Sequence, residues 1–254
     1  MPDSQGLDRA GRLLAEGVVI LVSILAAFLL EGWRADRELA GELRQELASV
    51  QRELETNRDL LLAEIEATDR ITVGTNALLA ELNAALERES VFVPDTLAFL
   101  GGMWNTTFDP SLGAIEALIT SGRLAQISNP DLRTGLAGLR DRVVDTREEQ
   151  LVARLLLVEQ LLPLIRNVVD ISPLADAGDL LMEASEDDAL TPQERVRLRA
   201  LESGTGVSFP NSPAIRNTIR YKAVYLSSGR SELAALAAHI EVLIDQVAAE
   251  ITNS

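Results

Sequence analysis

The sequence holds no cysteine, one lysine, one histidine and only 4% aromatic residues. Without thiols, disulfides, thiolate catalysis and zinc–cysteine centres are excluded together. The lone histidine, His239, lies in the Ala-rich run AALAAHIEVL. A His-cluster metal site or a Ser-His-Asp triad needs partners that no spacing supplies, so a packed or surface imidazole is the reading. Basic residues are scarce: 23 stand against 39 acids, a formal net charge of −16. That excludes the basic stripe on which nucleic-acid binding depends. With Lys222 the only lysine, positive charge is almost wholly guanidinium, suited to pairing with carboxylates on helix surfaces. Strand patterning and repeats of solenoid period are missing. A chain of 254 residues, 47% hydrophobic with few rings and 16 glycines, has the composition of one sizeable core of helix on helix.

What is present is an apolar opening, LLAEGVVILVSILAAFLLEGW, over 13–33. Its uninterrupted core, 17–30, makes about 21 Å of helix against a hydrocarbon layer of about 30 Å. Spanning therefore recruits both flanks, with Glu16 about a turn inside one boundary and Trp33 as an interfacial anchor at the other. A cleaved secretory signal is the competing reading, since Arg9 and Arg12 form a charged leader. The run ends LLEGWRAD, however, with no A-x-A-like cleavage site. Arginines flank both ends of the span (Arg9 and Arg12; Arg34, Arg37 and Arg44), and the preceding tail is short. The expectation is a single-pass protein of a bacterial inner membrane, N-terminus in the cytoplasm and C-terminal domain in the periplasm.

The expected architecture is all-α. A short polar tail (1–12) and a transmembrane helix (13–33) lead into a stalk helix (34–90), packed with later helices (91–254) as an irregular extramembrane bundle. Apolar residues at 39, 43, 47, 50, 54, 61 and 65 mark the stalk stripe. Their spacing runs nearer 3.7 than 3.5, which favours packing on the chain's own helices over a zipper with a second copy. The helix is expected from about Asp8 to Glu87, with a bend near Gly74. Asp109-Pro110, Asn129-Pro130, Thr191-Pro192 and Ser212-Pro213 each place a capping side chain before a proline suited to the first helical position. The first of these helices should stop at Ser121-Gly122, and the second should kink at Pro163. From Pro213 the chain can run as one helix through Ser227-Ser228-Gly229.

These residues resemble an uncharacterised bacterial family of single-span membrane proteins, a domain of unknown function. One block is Glu16, VVILVSILAAFLL, Glu31-Gly32-Trp33 and the charges to Arg37. The other is Thr107-Phe108-Asp109-Pro110, Ala117-Leu118 to Gly122-Arg123-Leu124, Ile127-Ser128-Asn129 and Leu132-Arg133. The chain departs from the family at Leu29, Leu30 and Glu31, where Asn or Gln is common. The resemblance implies a membrane-anchored helical domain and brings no activity.

Glu16, Ile20, Ser23, Ala27 and Glu31 share one helical face, with Ser23 and Ala27 at small-xxx-small spacing, as helix association in lipid favours. A buried Glu16 contacts a partner helix or else snorkels and pairs with Arg12. Phe92, Phe99, Trp104 and Phe108 gather four of the nine aromatics in one stretch; they read as a local core, or Phe99, Trp104 and Phe108 as contacts for a partner or the membrane surface. Gly101-Gly102 lacks phosphate-loop context, and Glu183, Glu186, Asp187 and Asp188 lack EF-hand spacing. No catalytic residue, cofactor, metal or small-molecule substrate is expected. The partners expected are the bilayer and other integral membrane subunits, in a respiratory, transport or photosynthetic assembly. The function expected is a non-catalytic accessory subunit that braces or links such a complex, with an extracytoplasmic sensor module as the alternative. A hydrolase using paired carboxylates has only acidic abundance behind it.

Overall fold

Three long helices repeat their buried positions every 3.5 residues. The computed structural model describes residues 4–85, 91–166, 169 and 208–253, the side chains of 4–20, 22, 36, 91, 92, 96 and 97 excepted. Helix α1 (Ser4–Ala85) buries Leu43, Leu47, Val50, Leu54, Asn57, Leu61, Thr68, Ile71, Thr75, Leu78 and Leu82. Helix α4 (Pro130–Leu155) buries Leu132, Leu136, Leu139, Val143, Thr146, Gln150 and Ala153. The last helix, α6 (Pro213–Asn253), buries Ile215, Ile219, Lys222, Leu226, Gly229, Leu233, Leu236, Ile240, Leu243, Val247 and Glu250. Steps of four and three alternate on each, as in a left-handed coiled-coil bundle. The stalk spacing expected near 3.7 is thus corrected to 3.5. Asn57, Thr68 and Thr75 occupy seam positions that an apolar-only reading skips, while Leu39 is exposed. The partners are still the chain's own helices.

Cross-links fix the directions. Arg58 meets Glu241, Arg230 meets Asp69, and the Asn211 amide donates to Leu82 O, so α6 runs antiparallel to α1. Glu250 receives Ser128 N, and a Cβ at Gly135 would touch Leu243, so α4 is also antiparallel to α6. Gln150 donating to Glu64 then places α4 alongside α1 in the same sense.

Between α1 and α4 the chain forms a two-residue strand β1 (Val91–Phe92), α2 (Thr96–Met103), α3 (Gly113–Thr120) and a 3-10 turn (Arg123–Gln126). β1 pairs antiparallel with β2 (Phe209–Pro210), a small exception to the all-α expectation. One core cluster joins Leu43 to Leu61 with Phe108, Ile115, Leu132 to Val143 and Leu233 to Val247. A second joins Leu78 and Leu82 to Phe99, Leu157, Leu161, Ile165, Phe209 and Ile219.

Asn129 caps α4 by accepting from Asp131 N and Leu132 N, and Ser212 Oγ accepts from Ile215 N at 3.3 Å, as expected. Asp109-Pro110 does not start a helix, because α3 begins at Gly113. Gly122, at φ +75°, ends that helix in the left-handed region a glycine tolerates. At Pro163, which cannot donate to Glu159 O, the helix widens into a π segment (Leu156–Leu161) before the short α5 (Leu162–Ile165). α6 runs unbroken through Gly229, where a Cβ would stand 3.3 Å from the Glu149 Cβ. The expected cap at Thr191-Pro192 and the acidic cluster at 183–188 lie outside the described residues.

Candidate functional site

The connector from Met103 to Gly113 has little regular structure, so its backbone polar groups need partners from elsewhere. The three long helices supply them. On α1, Asn57 donates through Nδ2 to Ser111 O at 2.6 Å and accepts from Ser111 N at 3.0 Å. One turn earlier, the Glu53 carboxylate accepts from Ala114 N at 2.9 Å and Ile115 N at 3.1 Å. Glu53 thus caps α3, whose preceding residue Leu112 offers no side-chain oxygen. From α4, Gln150 accepts from Phe108 N through Oε1 and donates through Nε2 to Glu64 at 2.7 Å. Burial raises the Glu64 carboxyl above its ordinary range, and hydrogen bonds from Thr106 and Gln150 oppose the rise.

The most constrained group is Lys222, fully buried on α6. Its ammonium donates to Gly101 O at 3.0 Å, Gly102 O at 2.7 Å and Trp104 O at 2.6 Å. These carbonyls close the C-terminus of α2, the end where a cation is favoured. Burial lowers the ammonium to about 7. The three carbonyls pull the other way, since only –NH₃⁺ carries a proton for each. Gly101 O also accepts from Thr75 Oγ1 at 2.9 Å. A Cβ on Gly101 would lie 2.5 Å from the Gly74 Cα, so two glycines let α2 rest on the backbone of α1. Gly74 therefore serves close approach. With every ammonium proton engaged, Lys222 is a clamp tying α2 to α6.

The aromatics divide. Phe99 packs edge-on against Phe209 with centroids 5.6 Å apart in one cluster, and Phe108 is buried in the other. Neither presents a surface to a partner or a bilayer, which corrects that expectation for both. Trp104, 39% exposed, remains available. The four do not form one local core, because the polar clamp at Lys222 and Gln150 lies between, and the Phe92 side chain is outside the described residues.

On α1 below the bundle, Ser23, Ala27, Glu31 and Trp33 are exposed, and the Arg37 guanidinium lies 4.0 Å over the Trp33 ring. The side chains of Glu16 and Ile20 lie outside the described residues. Among the described residues no helix is long and apolar enough to cross a membrane, and within the expected span, 13–33, the side chains of 13–20 and 22 are not described. Among the same residues no cluster of His, Asp and Glu is placed to hold a metal ion. An open cleft of about 350 Å³ between α1 and α3 is lined by Glu42, Glu46, Ser49, Ala117 and Arg123. Its one cation already pairs with Glu42 at 2.7 Å and Glu46 at 2.9 Å. His239 is half-buried, its Nε2 lacks a hydrogen-bond partner, and burial lowers its pKa.

Lys222 was legible as a count but not as a place. The signal was its position in the 215, 219, 222, 226 stripe of α6, where a lysine replaces an apolar residue. Comparison with family models, with curated proteins and with solved structures finds no match to this chain.

Proposed function

We propose that this protein is a single-span, membrane-anchored accessory subunit whose helical bundle braces other integral membrane proteins. The observation that carries the reading is the bare lower half of α1. Leu21, Ile24, Leu25, Phe28, Leu29, Leu30 and Trp33 are each between 48% and 74% exposed, and among the described side chains the first buried is Leu43. In water such a run of side chains is an aggregation site; in lipid it is solvated. Trp33 stacked under Arg37 suits a membrane boundary, an apolar ring beside a charge. From Trp33 to Leu43 the helix rises about 15 Å, lifting the bundle clear of the headgroups. Membership of the uncharacterised single-span family, a periplasmic bundle and a partner helix at Glu16, Ile20, Ser23, Ala27 and Glu31 belong to the same proposal.

Cell fractionation and native sizing test it. The full chain should stay in the membrane pellet through alkaline carbonate, and in mild detergent it should migrate in a particle containing other integral membrane proteins. A full chain found in the supernatant, or a purified particle containing only this chain, overturns the reading.

A further inference from the structure

We propose that α4 carries a second, outward seam that pairs in parallel with the same seam of a second copy of this chain. Besides its buried stripe, α4 with its π extension shows Val144 (61% exposed), Leu151 (44%), Leu155 (50%) and Val158 (48%) on another face. Their spacing of seven, four and three residues makes an apolar line about 20 Å long, interrupted between Val144 and Leu151 by the exposed Glu148. A helix with two apolar faces is one that is covered twice.

The edges of the line identify the occupant. Along one edge, arginine recurs every seventh residue at Arg140, Arg147 and Arg154; along the other stand Asp145, Val152 and Glu159. In a parallel pair related by a twofold axis, each edge meets the opposite edge of the partner, five residues on. Arg154 then faces Glu159 of the second copy and Arg140 faces its Asp145, with the reciprocal pairs completing the seam. Antiparallel pairing sets arginine against arginine and acid against acid along both edges, whereas parallel pairing sets only Glu148 of the seam against its own copy, so the edge charges favour the parallel orientation. Arg140 and Arg147 also hold exposed partners within the chain, Glu116 at 3.5 Å and Asp109 at 3.3 Å, whereas Arg154 and Glu159 pair with no described residue. Parallel pairing leaves both α1 helices pointing the same way, so it is compatible with a shared membrane without depending on one.

The absence of native cysteine makes disulfide trapping clean. Leu151→Cys and Val158→Cys should each give a covalent dimer as the main product of mild oxidation, in membranes and in detergent. Tyr221→Cys, exposed on α6, should stay monomeric. Adding Arg154→Glu to Leu151→Cys should suppress the dimer, and adding Glu159→Arg as well should restore it, with unchanged helical content throughout. Monomer only at both seam positions, a dimer indifferent to Arg154→Glu, or a Val158→Cys chain that stays monomeric alone yet traps with Val144→Cys would each overturn the proposal. The first would mean that the line is covered within one chain, and the last that the pair is antiparallel.

Discussion

The two halves of α1 differ in apolar content and pattern and meet opposite fates. From Leu43 to Leu82 its buried apolar side chains are sealed chiefly against α6, α2 and α3 in cores shared with α4, whereas the described side chains of Leu21 to Trp33 stay exposed. The upper half is patterned, with polar residues between seam positions every 3.5 residues. The lower half is apolar around its circumference. A helix with a stripe selects a protein partner, and a helix greasy on all sides selects lipid or a fully enclosing assembly.

Breaking that contrast has its largest effect by removal. Deleting 1–38 should abolish membrane retention while the remaining chain melts as cooperatively as before, read by fractionation and thermal circular dichroism. Next comes a matched pair of truncations. Leu54→Ala, at a seam position with no exposure, should lower stability by about 2–5 kcal/mol. Leu25→Ala in the bare half should leave the bundle's unfolding unchanged.

Lys222 separates the upper core from the lower. Lys222→Met removes the donor for three carbonyls and should lower stability by about 1–3 kcal/mol at neutral pH. Its pH dependence has a definite sign. The folded ammonium is lowered to about 7 from an ordinary 10.5, so between those values the unfolded chain binds a proton that the folded chain has lost. Wild-type stability relative to Lys222→Met should therefore climb as pH rises through that window and stay flat below it, in denaturant titrations at stepped pH. Smaller again, Glu53→Ala leaves Ala114 N and Ile115 N uncapped and should cost about 1 kcal/mol. Arg70→Ala, losing only an exposed pair with Glu66, should fall within the error of the melt.

Most of the helical framework was legible because local chemistry decides it. The caps at Asn129 and Ser212, the stop at Gly122 and the continuity of α6 all rest on residues adjacent in sequence. What escaped depends on distant partners. Asp109-Pro110 looks like a helix start, yet α3 begins three residues later, where Glu53 of another helix supplies the capping oxygens. The 3.5 repeat was hidden because Asn57, Thr68 and Thr75 hold seam positions, and their burial is intelligible only once the connector and α2 are seen against them. Phe99 and Phe108, neighbours in sequence, were read together but enter different clusters. The second resemblance block, 107–133, maps onto the connector, α3 and the start of α4, the part most dependent on side chains from α1 and α6.

Trp33 and Trp104 are the only tryptophans, which permits a direct reading of where α1 sits. In a Trp104→Phe variant reconstituted into vesicles, lipids brominated near the headgroup end of the chain should strongly quench Trp33, and aqueous iodide should not. Emission from Trp33 that is insensitive to brominated lipid and quenched by iodide would contradict the anchor and, with it, the role proposed for the protein.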